Sequence, residues 1–331
     1  MNEKRPPKVS VLMSVKNGEK YVLNAIKSIL DQTFGRFEFL IMDDASEDGT
    51  WNLIKNVDDE RIRLFRNESN QGLTKSLNKL ISHSRGEYIA RIDADDMAFN
   101  ERLEIQNEFL DDNTNVDVVG SYCRLIDNYN QNLGDHCPGL SVDCLKWSLI
   151  FRNVIKHSTT MWKKHIGFYD PAFEYAQDHE MWSRSRNPSV LKKTLAEVRI
   201  HPDSLTWNKG NEQRYFSLEA SRRQMQRYSK RKVSSEEARV IKLMSIHKTS
   251  SDLEEFNSLS NEEIKNNMHL YMRMADGFFC SCNKNPTILD EIRWDLYGLF
   301  NLRSELKELL SEEIRKCKDN SVAKEILFVP Q

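Results

Sequence analysis

Gly86-Glu87-Tyr88-Ile89-Ala90-Arg91-Ile92-Asp93-Ala94-Asp95-Asp96 is a short apolar run that ends abruptly in three carboxylates. A buried strand that delivers acids at its tip is costly unless something cationic binds there. In an open α/β sheet the carboxyl ends of the strands are where ligands sit. Hard oxygen donors suit Mg²⁺ or Mn²⁺, and Mg²⁺ is commonly held by one or two carboxylates plus phosphate oxygens. The segment therefore points to a site for a metal–phosphate complex. An acidic turn that caps the next helix is the competing explanation, because Asp is a good N-cap, and taken alone the two stand even.

The flanking sequence alternates strand and helix patterns. Val9–Met13, Phe37–Met42, Arg61–Phe65 and Val116–Gly120 read as strands, alongside the one ending at Asp93. Between them, Tyr21, Ala25, Ile26, Ile29 and Leu30 recur at helical spacing, as do Trp51, Leu53, Ile54 and Val57, and Leu73, Leu77, Leu80 and Ile81. A further helix is expected over about 100–110. Strands separated by such helices imply βαβ units and a mostly parallel sheet. Residues 123–145 read as loop, Ala176–Arg184 as a further short run, and the chain from Asn211 onward as charged helices.

Length and composition narrow the function classes. At 331 residues the chain allows about two domains. Its 48 basic and 50 acidic residues nearly cancel, which gives no global argument for a nucleic-acid partner. No stretch approaches the ~18–20 apolar residues of a membrane span, and Met1–Pro7 has no signal-peptide core, so a cytosolic protein is expected. Cys123, Cys137, Cys144, Cys280, Cys282 and Cys317 lack paired zinc spacing and read as free thiols.

Two strand tips are acidic, Asp43-Asp44 and Asp93–Asp96, and parallel strands bring both to one edge of the sheet. Ser14-Val15-Lys16-Asn17-Gly18 follows the first strand in place of a dinucleotide fingerprint or a phosphate-binding Walker A loop. The pattern closely resembles family 2 glycosyltransferases with the GT-A fold. The resemblance is carried by Ser10–Gly18, Ile41–Thr50, Asn70–Leu73, Gly86–Asp96, Tyr175–Trp182 and Val198–Ser204, in the family's order, over roughly residues 8–207. It implies a GT-A catalytic domain at 1–207, with a nucleotide-binding half at about 8–120 and an acceptor half at about 121–207, followed by a helical region at 208–331.

By that resemblance Asp93-Ala94-Asp95 is the family's DxD motif, Asp93 facing the ribose and Asp95 binding Mn²⁺ or Mg²⁺ on the nucleotide diphosphate. Asp96 is an accessory acid, Asp44 pairs with the base, and Ser14 and Asn17 lie on the loop that wraps the nucleoside. His201 is brought over the diphosphate, onto phosphate or metal, and Asp178 is the base that deprotonates the acceptor hydroxyl. Asp43 caps its turn, Trp182 and Trp207 either stack on sugar or pack, and His157 matches a family position of unassigned role. Two positions depart from the family: Lys16 replaces a frequent aromatic residue, and Gln177 replaces the acid before the base, which should ease ionisation of Asp178.

The function implied is an inverting, metal-dependent hexosyl- or N-acetylhexosaminyltransferase. It would use a nucleotide sugar, with UDP favoured, on a glycan or lipid-linked oligosaccharide acceptor in bacterial surface polysaccharide synthesis. The contrasting expectation is a non-catalytic GT-A-like protein that binds nucleotide or glycan, or scaffolds a complex. A basic cluster at Arg222–Lys232 suits either a solvated helix face, which is preferred, or peripheral contact with the inner face of the plasma membrane. The apolar stripe Leu302, Leu306, Leu309, Leu310 and Ile314 is expected to pack on the catalytic domain or on a second copy.

Overall fold

Phe37–Asp43 is apolar at five of its seven positions and buried at all of them, as suits a strand covered on both faces. A computed structural model describes this strand and its surroundings over residues 6–202, 209–245, 250–302, 306–317 and 319–327. In chain order the strands are β1 Val9–Val15, β2 Phe37–Asp43, β3 Ile62–Arg66, β4 Tyr88–Arg91, β5 Met97–Ala98, β6 Val118–Ile126, β7 Asn132–His136, β8 Met161–Lys163 and β9 Pro188–Arg199. The helices that position the site are α1 Val22–Leu30, α2 Thr50–Ile54, α3 Leu73–His83, α4 Arg102–Asp112, α5 Val142–Phe151 and α6 Gln177–Arg184.

Among the described residues these strands form one sheet in the order β3-β2-β1-β4-β8-β6-β9-β5, with β7 on β6. The first four are parallel. Beyond β4 the sheet is mixed, with β8 antiparallel to β4 and β6, and β9 parallel to β6. Strand order reverses between β1 and β4, so the loops leaving those strands flank the crevice where open α/β sheets bind ligands. Helix α1 shows why the local pattern is reliable here. Val22, Ala25, Ile26 and Ile29 are its buried residues, one stripe on the sheet.

The expectation of a loop over 123–145 is corrected. β6 runs on to Ile126, turns into β7, and α5 begins at Val142. Strand β7 is largely exposed and pairs with β6, so it shows no alternation that a sequence pattern can report. Strand β9 also goes unread in the sequence, because its pairing with β6 shifts register around Tyr122 and breaks the period of two.

The chain divides into two compact units, Met1–Val142 with Asn153–Phe216, and Asp143–Arg152 with Ser217–Gln331. The expected division at 207/208 falls outside the described residues. Helix α5 groups with the helical unit because Trp147, Ile150 and Phe151 lie in that unit's core, and Trp147 Nε1 donates to the buried Asp295 at 2.9 Å. Leu306, Leu310 and Ile314 also pack into that core. Leu302 is exposed, and the Leu309 side chain lies outside the described residues. Much of the basic cluster is paired locally: Arg222 and Arg223 with Glu219, and Arg231 with Glu237.

Candidate active site

The loops after β1 and β2 are stapled together. Asn17, in a left-handed conformation (φ 54°), donates its N–H to Ser46 Oγ at 2.9 Å, and its Oδ1 accepts the Glu47 N–H at 2.9 Å. Ser14, on the same loop, is half-buried. Asp43 is fully buried; it accepts the Ser46 N–H at 3.3 Å, the expected turn cap, and also pairs with Arg66 Nε at 2.9 Å.

Asp44 ties the end of β2 to the start of α3. Its Oδ1 accepts from Asn67 Nδ2 and the Gln71 N–H, each at 2.8 Å, and its Oδ2 accepts the Gly72 N–H at 2.9 Å. Gly72 is placed to donate by a φ of +84°, which a side chain would strain. An ionised carboxylate has about four acceptor positions, so Oδ2 retains one for a further donor. A cleft of about 760 Å³ lies beside this tip, lined by Lys16, Ala45, Ser46, Arg66, Asn67 and Asn70 among others. Open volume thus borders the first acidic tip.

At the second tip each acid has its own partner. Asp93 pairs with Arg91, and its Oδ2 accepts from Ser158 Oγ at 2.8 Å. Burial raises its pKa, but the Arg91 charge, neighbouring His157 and the Ser158 bond outweigh that and leave it below the usual value. Asp95 Oδ2 lies 2.8 Å from His201 Nε2. Asp96 turns inward, 3% exposed, and accepts the Arg199 N–H at 2.7 Å. Burial and the charges of Asp95 and Asp93 push its carboxyl well above the usual range.

Asp178 stands in the first turn of α6, entered through Ala176 at φ 51°. Its Oδ1 accepts the His179 N–H at 2.8 Å and its Oδ2 accepts from Asn153 Nδ2 at 2.7 Å. Burial raises its pKa to about 6, against the stabilising His179 N–H, with Asp93 adding to the rise. The missing acid at Gln177 does not leave Asp178 easily ionised, because desolvation is the larger effect. Glu180 points elsewhere, paired with Arg184 at 3.0 Å.

One electrostatic neighbourhood joins these parts. Arg91 acts on Asp93, His157 and Asp178. It is fully buried, and its Nε and Nη1 have no partner among the described residues. His157 is held neutral, its pKa lowered to about 3 by burial and Arg91 against the pull of Asp93, and its Nε2 is 2.8 Å from the Tyr169 hydroxyl. Trp182 is buried edge-on to Trp162 and is therefore packing, not a sugar platform. Trp207 lies outside the described residues.

Sequence reasoning missed Arg91, Asn153, Ser158 and Arg199 as site residues. A cation inside an otherwise apolar strand was the available signal for Arg91. The other three become visible only through pairings across 25, 65 and 103 positions.

No group of three or more His, Cys, Asp or Glu residues is placed to hold a metal among the described residues. Asp95 and His201 still fit a cation that takes most of its ligands from a diphosphate. The Asp95 side chain is 29% exposed, and the His201 imidazole beside it has a buried Nδ1 without a partner among the described residues.

The sequence profile described as "Glycosyl transferase family 2" matches residues 10–172. MJ1057 of Methanocaldococcus jannaschii, an uncharacterized glycosyltransferase, is 33% identical over 212 residues, 60% of this chain and 73% of that protein. An uncharacterized glycosyltransferase of Haemophilus influenzae is 26% identical over 335 residues, 94% of this chain and 97% of that protein. EpsE of Bacillus subtilis, named as a glycosyltransferase, is 41% identical over 126 residues, 37% of this chain and 45% of that protein, so this match spans under half of EpsE. Among solved structures, S. aureus TarS 1-349 in complex with UDP-GlcNAc superposes with a TM-score of 0.58 at 14% identity, covering 95% of this chain and 92% of that one. TarS 1-349 in complex with UDP gives 0.56 at 14% identity, with 94% and 92% covered. At such identity the likeness is one of fold.

Proposed function

The chain belongs to glycosyl transferase family 2 and has the GT-A fold, and from that premise we propose that it is an inverting transferase moving a sugar from a UDP-sugar to a glycan hydroxyl. The observation that carries this reading is the convergence of Asp93 and Asp178 around Arg91, with Asp178 half-buried and its pKa raised to about 6. A base near that value is largely ionised at neutral pH yet basic enough to accept a proton as the glycosidic bond forms.

In this reading Asp95 and His201 hold Mn²⁺ or Mg²⁺, whose chemistry is to neutralise the diphosphate leaving group. Asp93, kept ionised by Arg91, receives the ribose hydroxyls. Asp44 offers its remaining acceptor position to the uracil N–H, and Ser14 and Asn17 border the nucleoside. Asp96, turned inward, holds the acidic loop against β9 rather than touching the donor. Asp178 accepts the acceptor's proton while the hydroxyl oxygen attacks the anomeric carbon from the face opposite the departing diphosphate. The solved TarS complexes with UDP and UDP-GlcNAc support the choice of uridine, and growing chains of a bacterial surface polysaccharide are the acceptor class proposed.

Calorimetry of the full chain with UDP and with GDP, each with and without Mn²⁺, tests the donor assignment. Tighter UDP binding that depends on Mn²⁺ is expected. Equal affinity for both nucleotides would remove the preference for uridine, and no binding of either would favour a non-catalytic role.

A further inference from the structure

The turn between β6 and β7 reads Asp127-Asn128-Tyr129-Asn130-Gln131-Asn132. Its backbone is fixed by its own residues. Asp127 Oδ1 accepts the N–H groups of Tyr129 and Gln131 at 2.8 and 2.9 Å. The Asn130 N–H reaches Asp127 O at 3.2 Å, with Asn130 in a left-handed conformation at φ 63°. A loop so constrained loses little freedom when something binds to it.

The same turn is strapped to the acidic loop. Arg199, 4% exposed, donates from Nη1 to Asp127 O at 2.5 Å, from Nη2 to Asn130 Oδ1 at 2.8 Å and from Nε to Asp95 O at 3.0 Å. Its guanidinium also lies over the Tyr21 ring at 4.4 Å, and the Tyr21 hydroxyl bonds Asn128 Oδ1 at 3.0 Å. One guanidinium therefore separates the turn from the backbone of Asp95.

Within this tip Tyr129 holds the turn through its backbone N–H and leaves its ring outside. It is 83% exposed, and its hydroxyl has no hydrogen-bond partner among the described residues. On either side Asn128 and Asn130 use their Oδ1 atoms internally, and neither Nδ2 has a partner among the described residues. A flat ring flanked by amide donors suits a neutral ligand with C–H faces and hydroxyls.

We infer that the Asp127–Asn132 turn is the acceptor-recognition platform, with the Tyr129 ring stacking on an acceptor sugar and the Asn128 and Asn130 amides meeting its hydroxyls. This rests on the glycosyl-transfer reading above and adds the surface that receives the acceptor.

Saturation-transfer NMR of the full chain with UDP and Mn²⁺ tests it, using maltotriose, cellotriose, chitotriose and lactose as probes. At least one probe should receive saturation on its ring C–H protons. Tyr129→Ala should weaken that probe by about tenfold or more, with an unchanged circular dichroism melt, while Tyr129→Phe, which keeps the ring, should bind as wild type. Failure of every probe with the wild-type chain, or equal binding by Tyr129→Ala, overturns the platform. Failure of UDP itself to bind the wild-type chain is a different result, which sinks the donor reading and leaves the sugar arm to judge the turn separately.

Discussion

Asp178 has both carboxylate oxygens bonded, to the His179 N–H and to Asn153 Nδ2, and its pKa is raised to about 6 mainly by burial. The pH dependence of transfer follows directly. Below pH 6 the carboxyl is protonated and cannot accept a proton, so kcat/KM should rise with pH through about 6 and level off above. An acid limb centred near the ordinary carboxylate value of about 4 would move the base elsewhere. Asp178→Asn should bind UDP as tightly as wild type but lose transfer by roughly 10²–10⁴-fold, the usual contribution of a general base; near-normal turnover would refute the assignment. For Asp95→Ala the expected outcome is loss of Mn²⁺-stimulated turnover, and an unaltered Mn²⁺ titration would transfer the metal role to another acid. Of these residues the sequence revealed the acids themselves, because strand-end carboxylates stand out against apolar neighbours. It did not reveal the ionisation of Asp93 and Asp178, which depends on Arg91, Ser158 and burial.

Among the elements, the parallel strands and their helices were legible because their signals are local, the buried run of β2 and the α1 stripe being the clearest cases. The β6–β7 hairpin was not. Its Asn- and Gly-rich stretch looks like loop, and the ladder to β6 alone makes it a strand. The helical unit offers an element-scale test of packing. At Gly277, in helix Asn261–Ser281, an added Cβ would lie 2.0 Å from the Tyr228 carbonyl oxygen of helix Gly210–Ser229. Backbone cannot yield as a flexible side chain can, so Gly277→Ala should cost about 1–3 kcal/mol or more; urea unfolding at an unchanged midpoint would show that the two helices separate freely. Helix Asn261–Ser281 begins with a reciprocal Ser260–Glu263 capping box, and Ser260→Ala should cost about 1 kcal/mol in the same measurement.

For the molecule as a whole, a nucleotide that binds only the folded chain must stabilise it by mass action. UDP with Mn²⁺ at a hundred times its dissociation constant should add about 2.7 kcal/mol, seen as a higher melting temperature, whereas GDP at the same concentration should raise it less. A melt indifferent to UDP would contradict the proposed donor site. The near balance of 48 basic and 50 acidic residues is in keeping with a small-molecule donor rather than a polyanion. None of the described helices is long and apolar enough to cross a membrane.

By itself the sequence determined the alternation of strands and helices, the two acidic strand tips and the order of the family's motifs, since each is written in neighbouring residues or in their period. The tertiary structure decided which side chains meet. Helix α5 is assigned to the helical unit by the burial of Trp147. Arg199 joins a hairpin 69 positions away to an acidic loop 104 positions away. Asp178 owes its raised pKa to desolvation and to Asp93. Each of these depends on distance through space, which no local pattern along the chain encodes.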